Sequence, residues 1–198
     1  MLSRRQQGVT LIEMMAGIAM LAVLLAMGVP SFIGWIQDVQ IRTAAESVLN
    51  GMQAARAEAV RRNAVVRFTL TDQNGQVGWR IDCPNVTADC PGILQTRVAE
   101  EGGRQAMVTV TDDVIPQPAP AGYFQPAIQN VGTLPAEINF DGLGRVYTPP
   151  VGTFFTRADI TNLTNAAARR YVVLVGVGGQ IRMCDPKFNF ATDPRGCS

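Results

Sequence analysis

Between Met14 and Ile36 the chain runs for 23 residues without a charged side chain, long enough to cross a bilayer as a helix. From Gln37 onward polar residues enter, but apolar ones keep returning at three- and four-residue steps: Ile41, Ala45, Val48, Met52, Ala55 and Ala59. That spacing puts them on one face of a helix, while Arg42, Glu46, Asn50, Arg61 and Arg62 fall largely off it. Together the two patterns predict one helix from Val9 to about Arg62, roughly 80 Å long at 1.5 Å per residue. Pro30, flanked by Gly28 and Gly34, is expected to kink it or make it locally meltable, because proline removes a backbone donor and crowds the preceding turn. The six-residue stripe reads as scaffold that packs on a head, not as a binding surface.

After Asn63 the period changes. "AVVRFTL" (64–70) and "GWRID" (78–82) are short β-type runs separated by the turn signal "DQNGQ" (72–76), and "AMVTV" (106–110) is another. "EINFDGLGRVY" (137–147) reads as strand, glycine turn and strand, and "YVVLVGVGGQIRMC" (171–184) as a hairpin around Gly178-Gly179. The stretch Thr111–Leu134, rich in Pro, Gln and Gly, reads as a surface excursion. No internal repeat is visible. The expected fold is α+β: a long N-terminal helix followed by an antiparallel β head.

One acid stands out. Glu13 lies in "QQGVTLIEMM" (6–15), at the edge of the uncharged run, where a carboxylate costs about 2.5 kcal/mol or more on insertion scales. Arg4 and Arg5 form a short positive head, which predicts that the first residues stay cytoplasmic. A secretory signal would have a shorter apolar stretch ending at a small-residue cleavage site. Here the run continues through "LAVLLAMGVPSFIGWI", so hydropathy alone reads as an uncleaved signal anchor.

Composition narrows the chemistry. The 198 residues, 47% of them hydrophobic, suit one ordinary domain plus an anchor. There is no histidine, which removes His-based triads, His acid–base catalysis and His metal sites together. G-x-S-x-G, Walker A and H-E-x-x-H patterns are absent from the sequence. "GVGGQ" and "GLGR" are glycine-rich but open no helix, so they read as hairpin turns. The paired acids Asp112-Asp113 and Glu100-Glu101 read as solvated, and the glycosylation patterns "NVT" (85–87) and "NLT" (162–164) carry little weight by themselves. No cofactor and no catalytic residue is expected.

The four cysteines, Cys83, Cys90, Cys184 and Cys197, all lie beyond the apolar run, as expected for disulfides in an exported domain. Sequence proximity favours Cys83–Cys90 and Cys184–Cys197, with two other connectivities open. With no CxxC pair and no histidine, a zinc site is disfavoured.

"RRQQGVTLIEMM" resembles the type III signal of type IV pilins and pseudopilins: a basic leader, a glycine, a hydrophobic residue, Thr-Leu-Ile-Glu and an apolar helix. The resemblance implies that a prepilin peptidase cuts between Gly8 and Val9 and that the new N-terminus at Val9 is methylated. Phenylalanine is the usual first residue, so Val9 is a mild departure. Glu13 then becomes the fifth residue of the mature chain, where the family has its glutamate. Val9 and Glu13 are four apart and share a helix face. A carboxylate in lipid or in a filament core needs a partner, and a neighbouring subunit's amine is one. Glu13 thus reads as an assembly register device, against the alternative that it pairs with its own amine or snorkels to the interface.

"AARAEAVRRNAVVRFTL", "INFDGLGRV" and "GGQIRMCDP" resemble the GspH/FimT family, which includes FimT/FimU-like minor pilins. This likeness covers the first 70 residues well, the last 30 moderately and the middle only by pattern. Some FimT-like minor pilins bind DNA through arginines in a Gly-Arg-x-Arg stretch near the C-terminus. The equivalent here is "GQIR", in which Gly179 and Arg182 match but Gln180 replaces the first arginine. Residues 165–198 carry Arg169, Arg170, Arg182, Lys187 and Arg195 against Asp185 and Asp193, a basic tail that is a candidate nucleic-acid footprint. Arg182, Lys187 and Arg195 are the candidate DNA contacts, with Phe188 and Phe190 beside them as candidate stacking rings.

These readings divide the chain into a prepilin leader (1–8), a transmembrane or filament-core segment (9–36), an amphipathic helix half (37–63) and a periplasmic β-rich head (64–198). The expected protein is a minor pilin of a bacterial type IV pilus, anchored in the inner membrane by a single pass and then built into the filament or its initiation complex. Its expected partners are prepilin peptidase and other major and minor pilins. The alternatives are a pseudopilin of type II secretion, a DNA-binding minor pilin for transformation, and a signal-anchored periplasmic domain that forms no filament.

Overall fold

The computed structural model describes residues 9–71, 75–101, 103–129, 132–147, 154–165 and 168–197, without the side chains of positions 30 and 31. Gly8 and most of the 72–76 turn signal lie outside them. The chain divides into two compact units, Met1–Ile36 and Gln37–Ser198, with the division at the end of the uncharged run. One helix, α1 (Leu11–Arg62), supplies residues to both. It passes through position 30 without interruption.

In the first unit, Thr10 caps the helix. The backbone N–H of Glu13 donates to Thr10 Oγ1 at 3.4 Å, and that of Met14 to the Thr10 carbonyl at 3.2 Å. Thr-x-x-Glu is the pattern of a capping box, and Glu13 also places an acid in the first turn, where the helix dipole favours it. Around it and beyond, apolar side chains are exposed on every face: Leu11 by 78%, Ile18 by 63%, Leu24 by 68%. A helix apolar all round needs an apolar surrounding.

In the second unit, the same helix is amphipathic. Ile41, Ala45, Val48, Met52, Ala55 and Ala59 are all fully buried. The alanines keep the helix close to the sheets, and Gly51 brings it closer still. A Cβ on Gly51 would lie 2.8 Å from Phe68 Cε2 and 3.0 Å from the Trp79 ring. One turn away, Trp79 Nε1 donates to Ser47 Oγ at 2.9 Å, which satisfies a buried indole. The helix stops at Asn63, which adopts a φ of 48°, while Ala64 N donates back to the Ala59 carbonyl at 3.2 Å. Such a left-handed residue is a common helix terminator.

Among the described residues nine strands follow: β1 (Val66–Thr71), β2 (Gly78–Asp82), β3 (Gln95–Arg97), β4 (Ala106–Thr111), β5 (Ala136–Phe140), β6 (Val146–Tyr147), β7 (Arg157–Asn162), β8 (Tyr171–Val175) and β9 (Ile181–Cys184). They form two antiparallel sheets, ordered β3-β2-β1-β5-β6 and β4-β7-β8-β9. Both sheets contribute to one core with the helix stripe. Phe68, Leu70, Ile81 and Phe140 come from the first, and Val108, Val110, Ile160 and Val173 from the second. Cys83 bonds to Cys90 and Cys184 to Cys197, the two near-neighbour pairings.

Three expectations need correction. β3 and β7 lie in stretches where the pattern showed no strand. β3 is three residues long and mostly exposed, too short to alternate. β7 buries Arg157 and Asp159, so a fully inward segment reads as polar. The stretch Thr111–Leu134 is more than a surface excursion: Thr111 ends β4, and Phe124 is buried at 2% exposure. Phe124 packs with Val172, Cys184 and Cys197, joined by Ile115, Ala119 and Tyr123, as a second small core.

Candidate functional site

The residues expected to matter for processing and assembly sit at the start of α1. Val9 lies outside the helix and is 67% exposed. Glu13 is exposed as well, on a segment whose neighbours Leu11, Ile12, Met14 and Met15 are 58–78% exposed. Sequence reasoning found Glu13 by its depth and offset. It missed Thr10, although Thr-Leu-Ile-Glu carries the capping signal.

A second site assembles in the head. Arg56, on the helix, donates from Nε to the carbonyl of Gly144 at 2.9 Å. Gly144 sits in the β5–β6 turn with a φ of 73°. Asp141 closes that turn, accepting on Oδ1 from the backbone N–H groups of Leu143 and Arg145, each at 2.9 Å. Gly179, in the β8–β9 turn, has a φ of 78° and packs directly on Gly144. Val146 N donates to the Val177 carbonyl at 3.2 Å, which ties the two turns together. The helix end, "FDGLGR" and "GVGGQ" therefore meet at one junction, although they are far apart in sequence.

A third cluster holds residues 124–126 of the Thr111–Leu134 stretch. Asp159 is fully buried and takes a two-point contact from Arg157, at 2.7 and 2.8 Å. Arg170 also pairs with Asp159. Both arginines reach out to the loop: Arg157 Nη2 donates to the Pro126 carbonyl at 2.9 Å, and Arg170 to those of Phe124 at 2.6 Å and Pro126 at 3.0 Å. The Arg157 guanidinium lies 5.4 Å from the Phe124 ring centroid, within cation–π range. Two cations on one buried acid leave net positive charge, which the loop carbonyls offset.

The candidate DNA contacts belong to the tail that the second disulfide closes, or to the strand beside it. Arg182 Nη2 donates to the Cys197 carbonyl at 2.7 Å, and its guanidinium lies 4.9 Å from the Phe190 centroid. Arg195 donates to Asp193 at 3.0 and 2.7 Å and lies 4.4 Å from the Phe188 centroid. The Arg195 guanidinium and backbone N–H together hold the Asp193 carboxyl down to about 2. Lys187 is exposed. Both candidate stacking rings are thus already faced by the chain's own arginines. Of the two glycosylation patterns, Asn162 is buried and builds a turn by accepting from the Thr164 and Asn165 backbone, while Asn85 is exposed. No group of three or more metal-ligating side chains occurs among the described residues.

A helix that is apolar and then amphipathic, packed through its second half on antiparallel sheets, defines a pilin-like protein. A family model described as type II transport protein GspH matches residues 44–179, and one described as a prokaryotic N-terminal methylation motif matches residues 3–29. The chain belongs to the GspH family. It is also similar to two crystal structures of the type IV minor pilin FimU of Pseudomonas aeruginosa strain PAO1. One, in space group P21, is 16% identical with a TM-score of 0.47, covering 75% of this chain and 90% of that one. The other, in P65, is 15% identical with a TM-score of 0.46, covering 74% and 94%. The search of curated proteins found no match.

Proposed function

We propose that this chain is a minor pilin of a type IV pilus. A prepilin peptidase removes residues 1–8 on the cytoplasmic side, and the Val9 amine is methylated. Residues 9–36 hold the chain in the inner membrane, residues 37–63 carry the head, and residues 64–198 form that head in the periplasm. The subunit then enters the filament or its initiation complex with other pilins. Its work is assembly, not catalysis.

The observation that carries this reading is Glu13: an exposed acid one turn from Val9, on a helix otherwise exposed and apolar from Leu11 to Val29. An acid there needs a partner once lipid or other helices surround it, and a neighbouring subunit's N-terminal amine supplies one. The methylation-motif match at residues 3–29 supports the same chemistry. The test is intact mass analysis of the membrane-bound chain, expressed with and without prepilin peptidase. The expected product lacks residues 1–8 and carries a methyl group only when the peptidase is present. An N-terminus at Met1 in both cases overturns the proposal in favour of a simple anchor.

A second reading, a pseudopilin of type II secretion, is favoured by the description of the matching family model. The disulfide-closed tail and "RMCDP" favour the pilus. DNA uptake gains less support: Gln180 stands where the first arginine is expected, and the Arg182 and Arg195 guanidiniums are both engaged within the tail.

A further inference from the structure

We propose that Phe32 and Trp35 form an aromatic anchor that sits at the boundary between the headgroups and the hydrocarbon of a phospholipid bilayer, and that this anchor fixes how deeply the N-terminal helix is inserted. The inference rests on the reading that residues 9–36 span a membrane. The two residues are three apart and share one face of α1. Their ring centroids are 5.6 Å apart, with the planes inclined by 37°. They are 61% and 60% exposed, so the chain's own core takes up neither ring.

Their place along the helix decides what covers them. Trp35 is the second-last residue of the uncharged run. Two residues later Gln37 accepts a hydrogen bond from Asn165 Nδ2 at 2.8 Å, and Asp38 accepts one from the Arg169 backbone N–H at 3.0 Å. The surroundings therefore change from apolar to polar within one turn of Trp35. At the other end, Glu13 is about 22 residues away, roughly 33 Å at 1.5 Å per residue. That span matches the ~30 Å hydrocarbon core of a bilayer, with an acid at one face and an indole at the other.

An indole suits this boundary for a physical reason. Its ring prefers hydrocarbon while its N–H prefers an acceptor, and only the interface supplies both. The chain's other tryptophan shows the alternative solution. Trp79 is 4% exposed, with its N–H bonded to Ser47 inside the head. Trp35 is the one placed to meet lipid.

The experiment exploits this difference. The full-length chain is reconstituted in phosphatidylcholine vesicles whose acyl chains carry bromine at a shallow, middle or deep position, and tryptophan emission is compared with that in unlabelled vesicles. Shallow bromine should quench most strongly, and the Trp35→Phe variant should lose all lipid-dependent quenching while keeping the Trp79 signal. Strongest quenching by deep bromine overturns the anchor but leaves the membrane span standing. Vesicle-bound chain that no bromine quenches also overturns it, because a neighbouring helix then covers the ring. Chain that fails to float with the vesicles removes the membrane reading itself, and the anchor with it.

Discussion

The carbonyl oxygen of Gly144 occupies the space that a side chain on Gly179 would need: a Cβ there would lie 2.0 Å from it. The contact is backbone to backbone, so neither partner can rotate away. Gly179 also has a φ of 78°, which costs a residue with a Cβ roughly 1–2 kcal/mol before any clash is counted. Gly179→Ala should therefore destabilise the head by more than that strain alone, and should also weaken the Arg56 contact to Gly144. Thermal unfolding of a fragment starting at Gln37 measures it, with Val177→Ala, an exposed change in the same turn, as the near-neutral control.

Asp159 makes a sharper case. It is fully buried between Arg157 and Arg170. Asp159→Asn keeps the shape but leaves two guanidiniums without their counter-charge, and removing one partner of a buried pair costs about 3–5 kcal/mol. Denaturant unfolding of the same fragment should show a loss of that size. Limited proteolysis should show early cutting within 112–129, because the arginines that fix this loop lose their anchor.

The tail should respond to acid through one carboxyl. The Asp193 carboxyl sits at about 2, below its ordinary 3.8, because the Arg195 side chain and backbone N–H donate to it. A depressed acid contributes order that is complete above its ordinary value and is lost as pH falls toward the folded value. The Asp193–Arg195 contact should thus hold down to about pH 4 and fail progressively between there and pH 2. A carboxyl NMR titration reads this directly, and Arg195→Gln should return Asp193 toward 3.8. Glu58 should titrate low for a similar reason, since the Arg61 side chain and then that of Arg62 donate to it.

The disulfide Cys184–Cys197 closes a loop with a sequence separation of 13. Loop-closure estimates make such a bridge worth about 3 kcal/mol. Replacing both cysteines with serine should lower stability by up to that amount and expose residues 186–195 to protease. The Cys83–Cys90 bridge spans only 7 and should matter less.

What could be read from the residues follows from how each element buries its side chains. The helix stripe was legible because Ile41 through Ala59 are apolar at helical steps and face one core. β1, β2 and β8 were legible because they are short β-type runs bounded by turn residues. β7 was not, because Arg157 and Asp159 neutralise each other inside, and a composition reading takes both for surface residues. The Thr111–Leu134 stretch misled in the same way. Its prolines and glutamines look solvated, yet Phe124 is inserted and the carbonyls of residues 124–126 are bonded by Arg157 and Arg170. "GLGR" and "GVGGQ" were readable as turns one at a time. That they share Arg56 is a long-range fact that no local pattern encodes. At the N-terminus, Glu13 was conspicuous as a charge at the edge of an apolar run, whereas the Thr10 cap went unnoticed beside it.

The central claim is that the carboxylate at position 13 is needed for joining a filament and not for being processed. Quantitative mass spectrometry of Glu13→Ala chain in membranes and in sheared filaments tests it most directly. The account predicts a chain correctly cut after Gly8 and abundant in the membrane, yet depleted from filaments at least about tenfold, the factor that corresponds to 1.4 kcal/mol of lost contact. A chain that enters filaments at the wild-type level without this carboxylate would contradict it.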